Sequence, residues 1–137
     1  SSVDPTAAFP FGHGLSYTTF KYSDLRLTKA ADGGLDASVL VKNTGALAGD
    51  EVVQAYLGAP RPAPAGAAFA KRALASFDRV TLAAGEQRRV KLHVPPERLR
   101  YWSERHQSWR DARGGRTLYV GRSSRDLPLS KMVGHAN

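Results

Sequence analysis

Asp50 and Glu51 are adjacent carboxylates, the raw material of general acid–base chemistry. On a strand, neighbours point to opposite faces, so the two cannot flank one scissile bond as a glycosidase pair must. They are expected to be solvated residues at a strand start. Glu104 and Asp111 stand beside Arg105 and Arg110, and ion pairs with those arginines are the simplest role for them. His13, Ser16 and Asp24 hold the residue types of a nucleophilic triad, but GHGLS is not the G-x-S-x-G elbow. His13, His93, His106 and His135 have no metal-ligand spacing. Gly12 and Gly14 form half of a phosphate loop without its strand and helix, so backbone freedom in a tight segment is their expected role. Trp102, Trp109, Tyr101 and Tyr119 could build an aromatic platform for a sugar. Isolated aromatics in strands more often fill a core or pair across strands, and the sequence favours core for Trp109 more than for Trp102. On residue types alone there is no catalytic residue, metal site or cofactor to assign.

The elements that would position these residues follow a period of two. Leu25 and Leu27 alternate with Arg26 and Thr28; Leu35, Ala37, Val39 and Val41 with Asp36, Ser38 and Leu40; Val90, Leu92 and Val94 with Arg89, Lys91 and His93; Leu118 and Val120 with Tyr119 and Gly121. This places apolar side chains on one face of a sheet. Residues 51–57 (EVVQAYL) are apolar on both parities and predict a central strand covered on both faces. Turn signals fall at Asp32-Gly33-Gly34, Asn43-Thr44-Gly45, Ala84-Gly85-Glu86 and Gly114-Gly115. Pro95-Pro96 ends a strand, and residues 96–100 (PERLR) predict a short helical turn with Pro and Glu at its start. Seven or so short strands imply an all-β, two-sheet sandwich over residues 19–133. Residues 1–18, with Pro5, Pro10, Gly12 and Gly14 among aromatics, are expected to form an extended arm, and 134–137 a tail. Residues 58–70 (GAPRPAPAGAAFA) predict a long surface loop.

The 137 residues carry a formal charge of +8, with 20 Lys plus Arg, and no Cys. Lack of Cys excludes a disulfide scaffold and Cys-based zinc sites. No apolar run approaches the ~18 residues of a membrane-spanning helix, and SSVDPTAAFPFG does not read as a signal peptide. The arginines are spread along the second half without a run of like charge or a recognition motif, which argues against nucleic acid as partner.

Ordered motifs then carry a resemblance. FPFGHGLSYTTF (9–20) resembles the segment that joins the second catalytic domain of glycoside hydrolase family 3 enzymes to their C-terminal fibronectin type III-like domain. VKNTG (41–45), AGDEVVQAY (48–56), LASF (74–77) with AGE (84–86), LRYW (99–102), Trp109 and VGRSSRD (120–126) resemble successive strands and turns of that domain, its next hairpin lying at 74–90. Ala73 and Ser76 stand where the family often has Pro and Gly. The resemblance implies an immunoglobulin/fibronectin type III-like sandwich. It also implies a parent of the β-glucosidase type, a retaining exo-glycosidase whose Asp nucleophile and Glu acid/base lie in a barrel and an α/β sandwich. No catalytic residue of the family maps onto this chain, and no cofactor is implied. The partners implied are those catalytic domains. Phe9, Phe11, His13, Leu15 and Tyr17 are the expected interdomain contacts, because aromatics this dense mark an interface. A polysaccharide or another anionic polymer is the alternative partner, suggested by the +8 charge and the tryptophan pair, through Trp102, Arg105 and Arg110. Compartment, whether cytoplasmic or secreted, and oligomeric state stay open at this level.

Overall fold

The computed structural model describes residues 19–60, 72–103, 105–111 and 116–133. The expected arm (1–18), the tail (134–137) and most of the 58–70 loop lie outside them. Nine strands follow in order: β1 (Phe20–Lys29), β2 (Leu35–Asn43), β3 (Gly49–Gly58), β4 (Arg72–Leu82), β5 (Gln87–Val94), β6 (Arg100–Ser103), β7 (Ser108–Asp111), β8 (Thr117–Gly121) and β9 (Leu129–Met132). A 3₁₀ turn at Pro96–Leu99 precedes β6, with Pro in its first turn and Glu97 beside it, as the sequence leads one to expect. Seven strands make two antiparallel sheets, ordered β1-β2-β5 and β4-β3-β8-β9, and β6-β7 forms a separate ribbon.

The period-two alternation decides which face each strand buries. Ala37, Val39 and Val41 of β2 and Val90, Leu92 and Val94 of β5 line the inner side of the first sheet. Val53, Ala55 and Leu57 of β3, with Leu118 and Val120 of β8, line the second. These side chains form one cluster between the sheets, closed by Leu99 and Val133. At ~1.5–3 kcal/mol for each large apolar side chain buried, this cluster is the main source of stability. β1 carries a bulge between Ser23 and Arg26, with Asp24 at φ 52°. The extra residue lets Tyr22, Leu25 and Leu27 all pack toward the core.

Asn43, at the end of β2, is a fully buried polar residue. Its Nδ2 donates to the carbonyls of Leu47 (2.8 Å) and Leu82 (3.0 Å), and its Oδ1 accepts from the Gly45 N–H (2.9 Å). The Asn43 N–H and carbonyl also bond Glu86 and Gly85, so one side chain and its backbone tie two turns together.

Four expectations need correction. β3 is central in its sheet, but only one of its faces is covered by a second layer among the described residues, and Val52 is exposed on the other. The residues after LASF do not close a hairpin with β5; β4 and β5 belong to different sheets, and Ala84-Gly85-Glu86 is a corner between layers. Phe20 of the aromatic motif belongs to β1 and packs against the core. Finally, Trp102 and Trp109 are not core residues.

Candidate interaction surfaces

The two tryptophans face each other across the β6-β7 ribbon, the pair Trp102↔Trp109 in register. Their rings meet edge to face, with centroids 5.5 Å apart and planes at 72°. Trp109 is 62% exposed and Trp102 39%. A four-residue strand pair outside both sheets has no layer to bury them, so they cover each other instead. Arg105 is exposed in the turn. Arg110, also exposed, pairs with Tyr101, one position out of phase with the tryptophans and hence toward the opposite face of the ribbon. The structure therefore does not gather Trp102, Arg105 and Arg110 on one face. Rings set at 72° also offer no flat double platform. Phe9, Phe11, His13, Leu15 and Tyr17 lie outside the described residues, as do His13 and Ser16 of the nominal triad and the side chains of Glu104 and Asp111.

Asp50 and Glu51 do point to opposite faces. Asp50 is exposed and bonds Arg79 Nη2 (2.7 Å) and Thr81 Oγ1 (2.7 Å), which together hold its carboxyl below the ordinary range. Glu51 departs from the solvated role expected of it. It is nearly buried at the seam of the two sheets, where Tyr22 Oη donates to its Oε2 (2.9 Å) and Arg122 Nε lies 3.3 Å away. Burial pushes its carboxyl up, against the pull of Arg122. Burial, then Glu51, also push the Tyr22 hydroxyl up. The cluster borders an open pocket of about 270 Å³ lined by Phe20, Lys21, Tyr22, Arg122, Asp126 and Pro128. Asp126 lines the same pocket, but Arg122 Nε lies between it (3.9 Å) and Glu51 (3.3 Å), so the two carboxylates flank a guanidinium and not a gap that a substrate bond could fill; the visible work of Glu51 is to join β1 to β3.

On the outer side of the first sheet, His93 is held between Asp36 (Nδ1 to Oδ1, 2.9 Å) and Asp32 (Nε2 to Oδ2, 2.8 Å). These bonds raise the affinity of the imidazole for its proton, the Asp36 bond foremost. Asp24 pairs with Arg26 (2.9 Å) and Arg89 on the same side. Among the described residues no His, Asp and Glu cluster has the geometry to hold a metal ion.

Residues 51–124 match the fibronectin type III-like domain. The chain belongs to that family. Its similarity runs beyond the matched stretch. A probable β-glucosidase D of Aspergillus niger is 42% identical over 144 aligned residues, covering 91% of this chain and 19% of the relative. Among solved structures, DesR, a β-glucosidase from Streptomyces venezuelae in complex with D-glucose, is 44% identical with a TM-score of 0.80, over 91% of this chain and 16% of that one. A glycoside hydrolase family 3 β-glucosidase from Bifidobacterium adolescentis is 34% identical with a TM-score of 0.75, over 91% and 18%. This fibronectin type III-like chain thus spans about a fifth or less of the length of the relatives it matches.

Proposed function

We propose that this chain is the non-catalytic C-terminal module of a β-glucosidase-like retaining exo-glycosidase, which packs on the catalytic domains of the same polypeptide and stabilises them. The observation that carries this reading is the pattern of coverage: nearly all of this chain aligns with β-glucosidases, and it accounts for only 16–19% of them. The site chemistry supports it, since each carboxylate described above is engaged in an ion pair or hydrogen bond that serves the sandwich. The arm, residues 1–18 with Phe9, Phe11, His13, Leu15 and Tyr17, belongs to the interdomain contact in this reading. Polysaccharide binding is the less favoured reading, because the edge-to-face tryptophans present no flat platform.

The test is removal of the module. The parent enzyme is prepared with and without the residues of this chain, and thermal unfolding of the catalytic part is followed by calorimetry and residual turnover of an aryl β-glucoside. Loss of a module interface of a few kcal/mol lowers the Tm of the catalytic part, by about 2–4 °C per kcal/mol in a domain of 150–250 residues and by less in a larger one. An unchanged midpoint and unchanged activity overturn the reading.

A further inference from the structure

The two outer faces of this sandwich are dressed differently. Outside the first sheet, Asp24, Arg26, Asp36, Arg89, Lys91 and His93 form a web of ion pairs, the usual covering of a face in water. Outside the four-stranded sheet, the rows run differently. Phe77 lies opposite Gln54. The next row holds Leu74, Tyr56, Tyr119 and Ser130, and Met132 of β9 stands diagonal to Tyr119. Phe77 is 60% exposed and Met132 69%, with Leu74 and Val52 exposed between and beside them. The charges sit at the rim and are already engaged: Arg72 stacks on the Tyr119 ring (4.3 Å) and Arg79 bonds Asp50. Gln54 and Tyr56 bond each other (2.6 Å), and Gln54 also bonds the Arg122 carbonyl, so the middle of the face offers few unsatisfied polar groups. Exposed apolar side chains on the two edge strands, with aromatic rings and mutually satisfied polar groups on the central strands between them, make a contiguous surface suited to a protein partner.

The geometry points to the outer face of the β4-β3-β8-β9 sheet as the surface on which the catalytic part of the same polypeptide docks. This rests on the module reading above. About four-fifths of each relative lies outside the match, so the remainder of such a polypeptide is held near this module by covalent connection, at an effective concentration a free partner does not reach. A second copy is disfavoured by charge, since each chain carries +8 and Arg72 and Arg79 rim the face. The complementary surface is apolar where it meets Leu74, Phe77 and Met132.

Met132 is the single methionine of the chain and reports on the face directly. In the full-length enzyme, its oxidation by hydrogen peroxide is followed by mass spectrometry, beside a Leu74→Asp/Phe77→Asp double variant and a Trp109→Ser control. Docking slows Met132 oxidation roughly tenfold relative to an unfolded digest, since sulfoxide formation follows exposure. The double variant restores the fast rate, and Trp109→Ser does not. Met132 oxidising at the rate of a solvent-exposed methionine in the wild-type enzyme overturns the inference. If removal of the module still lowers the Tm of the catalytic part, the module reading survives and only the face is wrong; if removal has no effect, both fall. Protection of Met132 that disappears on dilution, together with a change of mass in solution, assigns the face to a second copy and also overturns the inference.

Discussion

His93 shows what a single side chain can report. Its imidazole is clamped by Asp36 and Asp32, which raise its pKa above the ordinary 6.5. A group whose folded pKa is raised adds stability that is fully present below the unfolded value and is lost as pH rises through the folded one. The Tm of the chain should therefore decline as pH climbs upward from about 6.5, and the His93→Gln variant should flatten that slope. An identical slope in both would show that the clamp carries no linkage. Asn43 makes a different case, because burial rather than charge sets its worth. Asn43→Leu keeps the volume but strands the carbonyls of Leu47 and Leu82 and the Gly45 N–H. A loss of roughly 2–4 kcal/mol is expected from unsatisfied buried groups, read as a lower urea midpoint at constant m. A change under ~0.5 kcal/mol, the range of a surface substitution, would mean that water replaces all three bonds.

At the scale of elements, two glycines in turns separate space from backbone conformation. Gly34 closes the β1-β2 hairpin, where its N–H bonds Asp32 Oδ1 (2.8 Å). A Cβ there would stand 2.1 Å from the Val94 carbonyl oxygen, a backbone atom that cannot swing aside. Gly85, in the corner between β4 and β5, has φ +78° but open space around it. Gly34→Ala should cost about 3 kcal/mol or more, as overpacking does, and Gly85→Ala about 1 kcal/mol from the left-handed backbone alone. Chemical denaturation of the two variants checks the order; a reversal would place the strain in φ rather than in contact. The Gly34 variant reaches further than its own turn, because Val94 and Pro95 lead into the 3₁₀ turn that seats Leu99 in the core.

For the whole molecule, the two sheets bury a shared apolar layer and set Asp50 and Glu51 in separate neighbourhoods. Glu51 lies at one seam with Tyr22 and Arg122, and Asp50 faces the other way with Arg79. A retaining mechanism needs two carboxyl groups about 5 Å apart across the bond to be broken. The purified chain is accordingly expected to release no nitrophenol from an aryl β-glucoside. Turnover that disappears in Glu51→Gln would show that the seam cluster does chemistry after all.

The alternation of Leu35–Val41 and Val90–Val94 determined two buried strand faces, since a period of two leaves an apolar residue nowhere else to go. Asp32-Gly33-Gly34 and Ala84-Gly85-Glu86 determined two turns, and Gly33 and Gly85 do take positive φ. The ordered motifs determined the family. Which strands share a sheet was decided only in three dimensions: β4 and β5 are consecutive and joined by a tight turn, yet they lie in opposite layers, because ladder partners are chosen by the whole arrangement. The fates of Glu51, Trp109 and the Val52–Tyr56 face were decided there too. Burial of a carboxylate, exposure of a tryptophan and an uncovered apolar face each depend on what packs alongside, and local sequence carries the residue but not its neighbour.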